Sequence, residues 1–249
     1  MAGHSKWANI RYRKSAQDAR RGKIFTRLIR AITIAARQGA APEDNPLLRS
    51  AVTKALAANM TRDTIDRAVA KGSGTAGGDQ LEEIVYEGYG PGGVALLIET
   101  ATDNRNRTVS EVRHALTRNG GNMGASGSVN YLFQRVGEIR LNGNAYSEEQ
   151  IMELVLDAGA DDLSEDEANQ LIVRTSYEAF SKVCAMLEAA SITPEAAEIQ
   201  MLASTEVELG EDQAHTLLKL LDMLEDLDDT QNVYHNASIN DEVLQRLNA

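Results

Sequence analysis

The sequence predicts an α+β multidomain fold, an N-terminal three-helix bundle followed by two α/β ferredoxin-like domains. Three observations carry this expectation. Apolar residues recur at helical spacing up to about residue 72, strands and helices alternate from residue 80 onward, and the glycine-rich stretch 72–79 (GSGTAGGD) reads as a flexible linker between the two regimes. A chain of 249 residues also exceeds one small core; it suggests two or three units of roughly 100–150 residues.

The first helix is expected over 16–38. At about 100° per residue, Ile24, Phe25, Leu28, Ile29, Ile32, Ala35 and Ala36 share one apolar sector, and Arg20, Lys23, Arg27, Arg30 and Arg37 share the opposite side. Arg21 sits nearer the apolar sector. Gly39 supplies a left-handed stop, with Pro42 soon after. Asn45 caps a second helix whose first residue is Pro46, where a missing N–H costs nothing; it runs to about Met60. Thr61 caps a third, with Ile65 and Val69 inward and an end at Gly72.

Strands follow at 83–89 and 94–101, joined by the turn Gly90-Pro91-Gly92-Gly93. Thr108 and Glu111 form a capping-box pattern before a helix at 109–119, and 128–133 reads as a strand. A second alternation has strands at 137–141, 162–164, 170–175 and 199–202 with helices at 147–158 and 177–190, the βαββαβ order of a ferredoxin-like unit. The last pieces are a strand at 206–209, a helix at 211–227 and a strand at 232–235. They complete a unit only when added to the first α/β segment. The expected domains are therefore 1–75, a discontinuous 76–134 plus 205–249, and an inserted 135–204.

The net charge of −12 conceals a segregation. Residues 1–75 hold fifteen Lys and Arg against five acids, an excess of ten positive charges; the rest holds ten basic and 32 acidic residues, an excess of 22 negative. Either the bundle meets an anionic partner, DNA or ribosomal RNA and with it the ribosome, or it docks on the chain's own acidic remainder. Clustered cations are the footprint of phosphate binding, which favours the first. The candidate contacts are Lys6, Trp7, Arg11, Arg13, Lys14, Arg20, Lys23, Arg27 and Arg30. Trp7 has two readings, a ring stacked on a base or a plug in the bundle core. Helix 62–71 is a weak recognition helix, because Asp63 and Asp66 stand beside Arg62, Arg67 and Lys71.

Arg105 and Arg107 lie at a helix start, where cations oppose the dipole. Either a bound anion or an internal acid, Asp103 or the acidic C-terminal helix, supplies the missing negative charge. The glycine-rich segments 88–93 and 120–127 lack both nucleotide-binding spacings. His4, His114, His215 and His235 are scattered, and the single Cys184 lies on an apolar helical face, so no catalytic residue, metal site or cofactor is expected. The acidic run 222–229 reads as a solvated helix end that repels nucleic acid. No secretory signal or membrane span is present. The basic amphipathic start also resembles a transit peptide or a membrane-surface helix, but its apolar stripe is needed to close the bundle.

The string MAGHSKWANIRYRK, followed by Asp18, Arg20 and Gly22-Lys23-Ile24-Phe25, closely resembles the YebC family. So do YEGYGPGGVALLIETATDNRNRTVSEVRHAL and GGNMGASGSVNYLF within 86–133, and Gln231-Asn232-Val233-Tyr234-His235-Asn236. The resemblance implies one helical and two α/β domains, a cytoplasmic location and no enzymatic activity. It implies either DNA binding, as in bacterial members described as transcriptional regulators, or a ribosome-associated role, as in the mitochondrial translational activator of cytochrome oxidase subunit one. The motif starts at Met1, which points to a bacterial cytoplasmic member rather than to a transit peptide.

Overall fold

The structure is a computed structural model that describes residues 19–75, 81–166, 169–240, 243 and 246. Three helices come first, α1 (Ala19–Ala35), α2 (Pro46–Ala57) and α3 (Arg62–Gly72). Asn45 accepts from the Leu48 amide at 3.0 Å to cap α2, and its side-chain amide also ties down the Ala35 and Gly39 carbonyls that end α1. The last turn of the first helix tightens into a 3-10 segment at Ala36–Gln38, and Gly39 takes φ +150°, open only to glycine. Ile32, Leu48, Ala55 and Ala68 fill the centre of the bundle. At Gly72 a Cβ would stand 2.1 Å from the Thr33 carbonyl oxygen, so glycine lets α3 lie directly on α1.

The next elements are β1 (Glu82–Tyr89), β2 (Ala95–Thr102), α4 (Arg105–Arg118), β3 (Asn122–Met123), β4 (Phe133–Asn142), α5 (Glu148–Leu156), β5 (Ala160–Glu165), β6 (Gln170–Ser176), α6 (Tyr177–Ala189) and β7 (Ala196–Ala203). The described chain closes with β8 (Val207–Leu209), α7 (Glu211–Glu225), β9 (Thr230–His235) and β10 (Ala237–Ile239). Two four-stranded sheets result, ordered β3-β1-β2-β9 and β5-β6-β4-β7, and β10 adds a short parallel pair with β8. The second order is that of a ferredoxin-like unit. The first opens with the β1–β2 hairpin and takes β9 from the far end of the chain.

Alternation along β2 decides how the sheets pack. Leu96 and Ile98 face α4 and α7, where Leu116, Leu217 and Leu220 are fully buried, each burial contributing about 1.5–3 kcal/mol. Ala95 and Leu97 face the other way, onto Val129 and, in the second sheet, Met201. The bundle touches the second sheet as well: Ser50 donates to the Ala197 carbonyl at 2.8 Å, and Leu47 packs against the cores of both units.

Two expectations need correction. The helix predicted to start after Thr108 begins a turn earlier, with Asn104 accepting from the Arg107 amide at 3.1 Å, because Thr108 is buried and its hydroxyl is bound elsewhere. The strand predicted at 128–133 is a turn with a 3-10 segment at Asn130–Leu132. Its amides are held by a carboxylate and cannot join a ladder.

Candidate nucleic-acid interface

Lys23, Arg27, Arg30 and Arg37 of the first helix engage other parts of the chain. Lys23 donates to the Asp226 carbonyl at 2.9 Å and lies 3.6 Å from its carboxylate. Arg27 donates to the Glu225 carbonyl and Arg30 to that of Asp228, and Arg30 forms an ion pair with Asp229 at 2.8 Å. Arg37 pairs with Glu83 at 2.9 Å and also reaches the Leu81 carbonyl. Burial lowers the pKa of Arg27, with Asp226 opposing the shift. The contacts of Lys23, Arg27 and Arg30 join α1 to the C-terminal end of α7 and the turn after it, where the last carbonyls have no intrahelical donors and carry the negative end of the dipole, whereas Arg37 reaches the start of β1. Lys6, Trp7, Arg11, Arg13 and Lys14 lie outside the described residues, and Arg20 is placed only as backbone of α1.

Asp229 organises this junction. It is wholly buried, so the expectation that run 222–229 is a solvated helix end fails at its last residue. Its carboxylate accepts from Thr108 at 2.7 Å, from Thr102 at 3.1 Å and from Arg107 at 2.8 Å, in addition to Arg30. Burial alone would raise its pKa. The hydrogen bonds from Thr108 and Arg107 and the charges of Arg30 and Arg107 overcome that, and the carboxyl is held below its ordinary value. Arg107 also binds Asp103 at 2.9 Å, and these carboxylates push its own pKa up. The negative charge expected opposite Arg107 is therefore internal. Arg105 makes an exposed contact with Glu82 at 3.5 Å.

The second glycine-rich loop cradles an anion of its own. Glu87, buried on β1, accepts from the amides of Gly127 at 2.6 Å, Val129 at 2.7 Å and Asn130 at 2.8 Å. Burial favours the neutral acid, but these amides reverse the balance and lower the pKa. The amides that could hold a phosphate hold a carboxylate instead. The loop presents Tyr131, 75% exposed. The first segment is the β1–β2 turn, with Gly92 at φ +73°.

Two further cations of the bundle bridge to the second sheet and to α6. Arg49 pairs with Glu188 and Lys54 with Glu198. Of the nine Lys and Arg from residue 23 to 71, six thus reach the rest of the chain, Arg67 pairs with Asp63 on its own helix, and Arg62 and Lys71 stand exposed on α3. No group of three His, Cys, Asp or Glu is placed to hold a metal among the described residues. Cys184 is half-buried and its thiol is pushed up to about 11 by burial, so it is protonated at neutral pH. No described helix is long and apolar enough to cross a membrane.

The profile described as TACO1/YebC protein N-terminal domain matches residues 5–75, and that described as TACO1/YebC second and third domain matches residues 81–237. The chain belongs to the TACO1/YebC family. Among its relatives are proteins called "Probable transcriptional regulatory protein" in Idiomarina loihiensis, 56% identical over 99% of both chains, and in Aeromonas hydrophila, 56% identical over 99% of this chain and all of the relative. A crystal structure described as that of the conserved hypothetical protein Aq1575 from Aquifex aeolicus superposes with a TM-score of 0.80 at 46% identity, covering 93% of this chain and 96% of that one.

Sequence reasoning missed Asp229 and Glu87, the two carboxylates that organise the fold of this TACO1/YebC member. A charged residue directly after the apolar run Ile84-Val85-Tyr86 of β1 was the available signal for Glu87. For Asp229 the signal reached only the acidic C-terminal segment as an internal partner of Arg105 and Arg107, because the residue ends a run of acids that look alike. Tyr131 was hidden inside a segment that reads as a strand.

Proposed function

We propose that the chain is a non-enzymatic, cytoplasmic nucleic-acid-binding protein that regulates gene expression, acting as a DNA-binding transcriptional regulator. The observation that carries this is the charge segregation, ten excess positive charges in residues 1–75 of a chain that is otherwise acidic. The names of the relatives support a regulatory role. On this reading residues 1–75 form the binding domain, 76–134 with 205–249 a platform, and 135–204 an insertion. Lys6, Trp7, Arg11, Arg13, Lys14, Arg20, Lys23, Arg27 and Arg30 supply the contacts, with Arg105 as an accessory cation and Arg107 held internally.

A second reading, a translation factor on ribosomal RNA, is favoured by one observation. The exposed face of α3 sets Asp63 and Asp66 among its cations, a poor surface for reading base edges in a major groove. Double-helical RNA is recognised mostly by shape and by 2′-OH and phosphate contacts, which do not require a helix that reads major-groove base edges.

Genome-wide DNA crosslinking, run beside ribosome sedimentation and profiling in a deletion strain, tests both. The first reading expects preferred promoter sites that survive competition by bulk DNA, and a footprint without any preferred site at physiological salt sinks it. Co-sedimentation with ribosomes and altered pausing would transfer the assignment to the second. Changing Lys6, Arg11, Arg13, Lys14 and Arg20 to glutamine should lower the slope of log affinity against log salt by roughly two to four, and an unchanged slope removes that segment from the interface.

A further inference from the structure

Lys23, Arg27 and Arg30 stand at positions i, i+4 and i+7 of α1, one face of the helix extending roughly 10 Å. What meets them is a string of oxygens: the carbonyls of Glu225, Asp226 and Asp228 and the carboxylates of Asp226 and Asp229. A row of acceptor oxygens, two of them on carboxylates, opposite a row of cations resembles what a nucleic-acid backbone offers. We infer that the end of α7 is an autoinhibitory stand-in for that backbone, and that nucleic acid engages the α1 face only after this end has been displaced. The inference rests on the nucleic-acid reading above and adds its regulation.

The contacts divide by strength. Lys23 and Asp226 are 45% and 59% exposed, and an exposed pair contributes at most about 1 kcal/mol and weakens with salt. Arg30 and Asp229 are 13% and 0% exposed, and this pair holds the closed form. Asp229 keeps Arg107, Thr102 and Thr108 as partners when Arg30 leaves, so opening strands no buried charge. The freed arginines require a replacement anion, and phosphate supplies one bidentately. The linkage is reciprocal: a ligand that selects the open form must bind it more tightly than the closed form by the free energy of opening.

The test closes the junction covalently. Lys23→Cys and Asp226→Cys are introduced in a Cys184→Ser background, and the two introduced thiols are joined by a short bismaleimide. The same variant is compared before and after linking, so the loss of Lys23 cancels. Affinity is read by anisotropy on a fluorescein-labelled DNA duplex and on a single-stranded RNA of the same sequence. Linking should weaken binding about tenfold or more and flatten the salt slope, because the α1 cations can no longer release counterions. Saturating nucleic acid should also slow the linking reaction. A second variant, Asp226→Asn, removes the carboxylate partner of Lys23 and should bind severalfold tighter than Asp222→Asn, which removes the same charge away from the junction. Equal affinity of the linked and unlinked forms would overturn the inference while leaving the nucleic-acid reading intact. No binding by either form, or by the unmodified chain, would overturn both.

Discussion

Two buried carboxylates, Glu87 and Asp229, solve the same problem in opposite ways. Glu87 is neutralised by three backbone amides of one loop in its own unit. Asp229 is neutralised by side chains from three places: Arg30 on α1, Thr102 on β2, and Arg107 and Thr108 on α4. Amides that belong to a folded loop cannot leave for another anion. Cations on a separate helix can. The first arrangement fixes a shape, whereas the second ties two regions together through charges that a phosphate can also use.

The sharpest way to break this contrast is Asp229→Ala. It leaves the largely buried Arg30 without its carboxylate and Arg107 with only Asp103, and losing one partner of a buried ion pair costs about 3–5 kcal/mol. The urea midpoint should fall accordingly. The acidity of the carboxyl adds a pH signature. Its folded pKa is depressed, so its stabilising contribution is fully present above the unfolded value near 4 and is lost as pH falls through the lower folded value. The penalty of the variant should therefore be constant from about pH 7 to 5 and shrink below about pH 4. A penalty that grows on acidification would contradict the assignment.

Glu87→Gln comes next. An amide offers one acceptor oxygen and places an NH2 opposite a backbone donor, for a cost of about 2–3 kcal/mol. Hydrogen exchange should rise at Gly127, Val129 and Asn130 and stay unchanged in α1. The pH dependence should have the same sign, since the Glu87 pKa is also depressed. Exchange rising equally in α1 would mean that the two carboxylates form one cooperative unit, and the contrast drawn above would fail.

How much of this was legible follows from the range of each interaction. The caps of α2 and α3 and the β1–β2 hairpin turn are written in neighbouring residues, Asn45-Pro46, Thr61 and Gly90-Pro91-Gly92-Gly93, and the expected bounds lie within a few residues of the observed ones. The α4 start was misplaced because Thr108 looks like a cap locally, while its hydroxyl is claimed by Asp229, 121 residues away. The amphipathicity of α1 was legible, and docking of its basic face on the acidic remainder was the less favoured of two readings; the atoms it meets were not legible, because carbonyls at the end of a distant helix leave no mark in sequence. Even Ile24, on the predicted apolar sector, is 46% exposed, since periodicity reports a face and not how far its partner extends.

The smallest expected effect belongs to the other edge of the bundle. Lys54 and Glu198 form an ion pair in which both side chains keep solvent contact, at 48% and 34% exposure, and Arg49 and Glu188 are at 38% and 66%. Such pairs contribute about 0–1 kcal/mol, because water screens them and ordering two long side chains opposes the gain. Lys54→Gln should therefore shift the urea midpoint by less than about 1 kcal/mol in low salt, and roughly 0.5 M salt should erase the shift. The same salt should leave the Glu87→Gln penalty nearly intact, because its partners are buried dipoles that ions cannot reach. A Lys54→Gln penalty that persists in high salt would show that Glu198, whose carboxyl burial would raise but Lys54 holds low, depends on that lysine as strictly as Asp229 depends on its arginines. The bundle would then be pinned to the second sheet as well, and opening at the α7 end would have to carry that sheet with it.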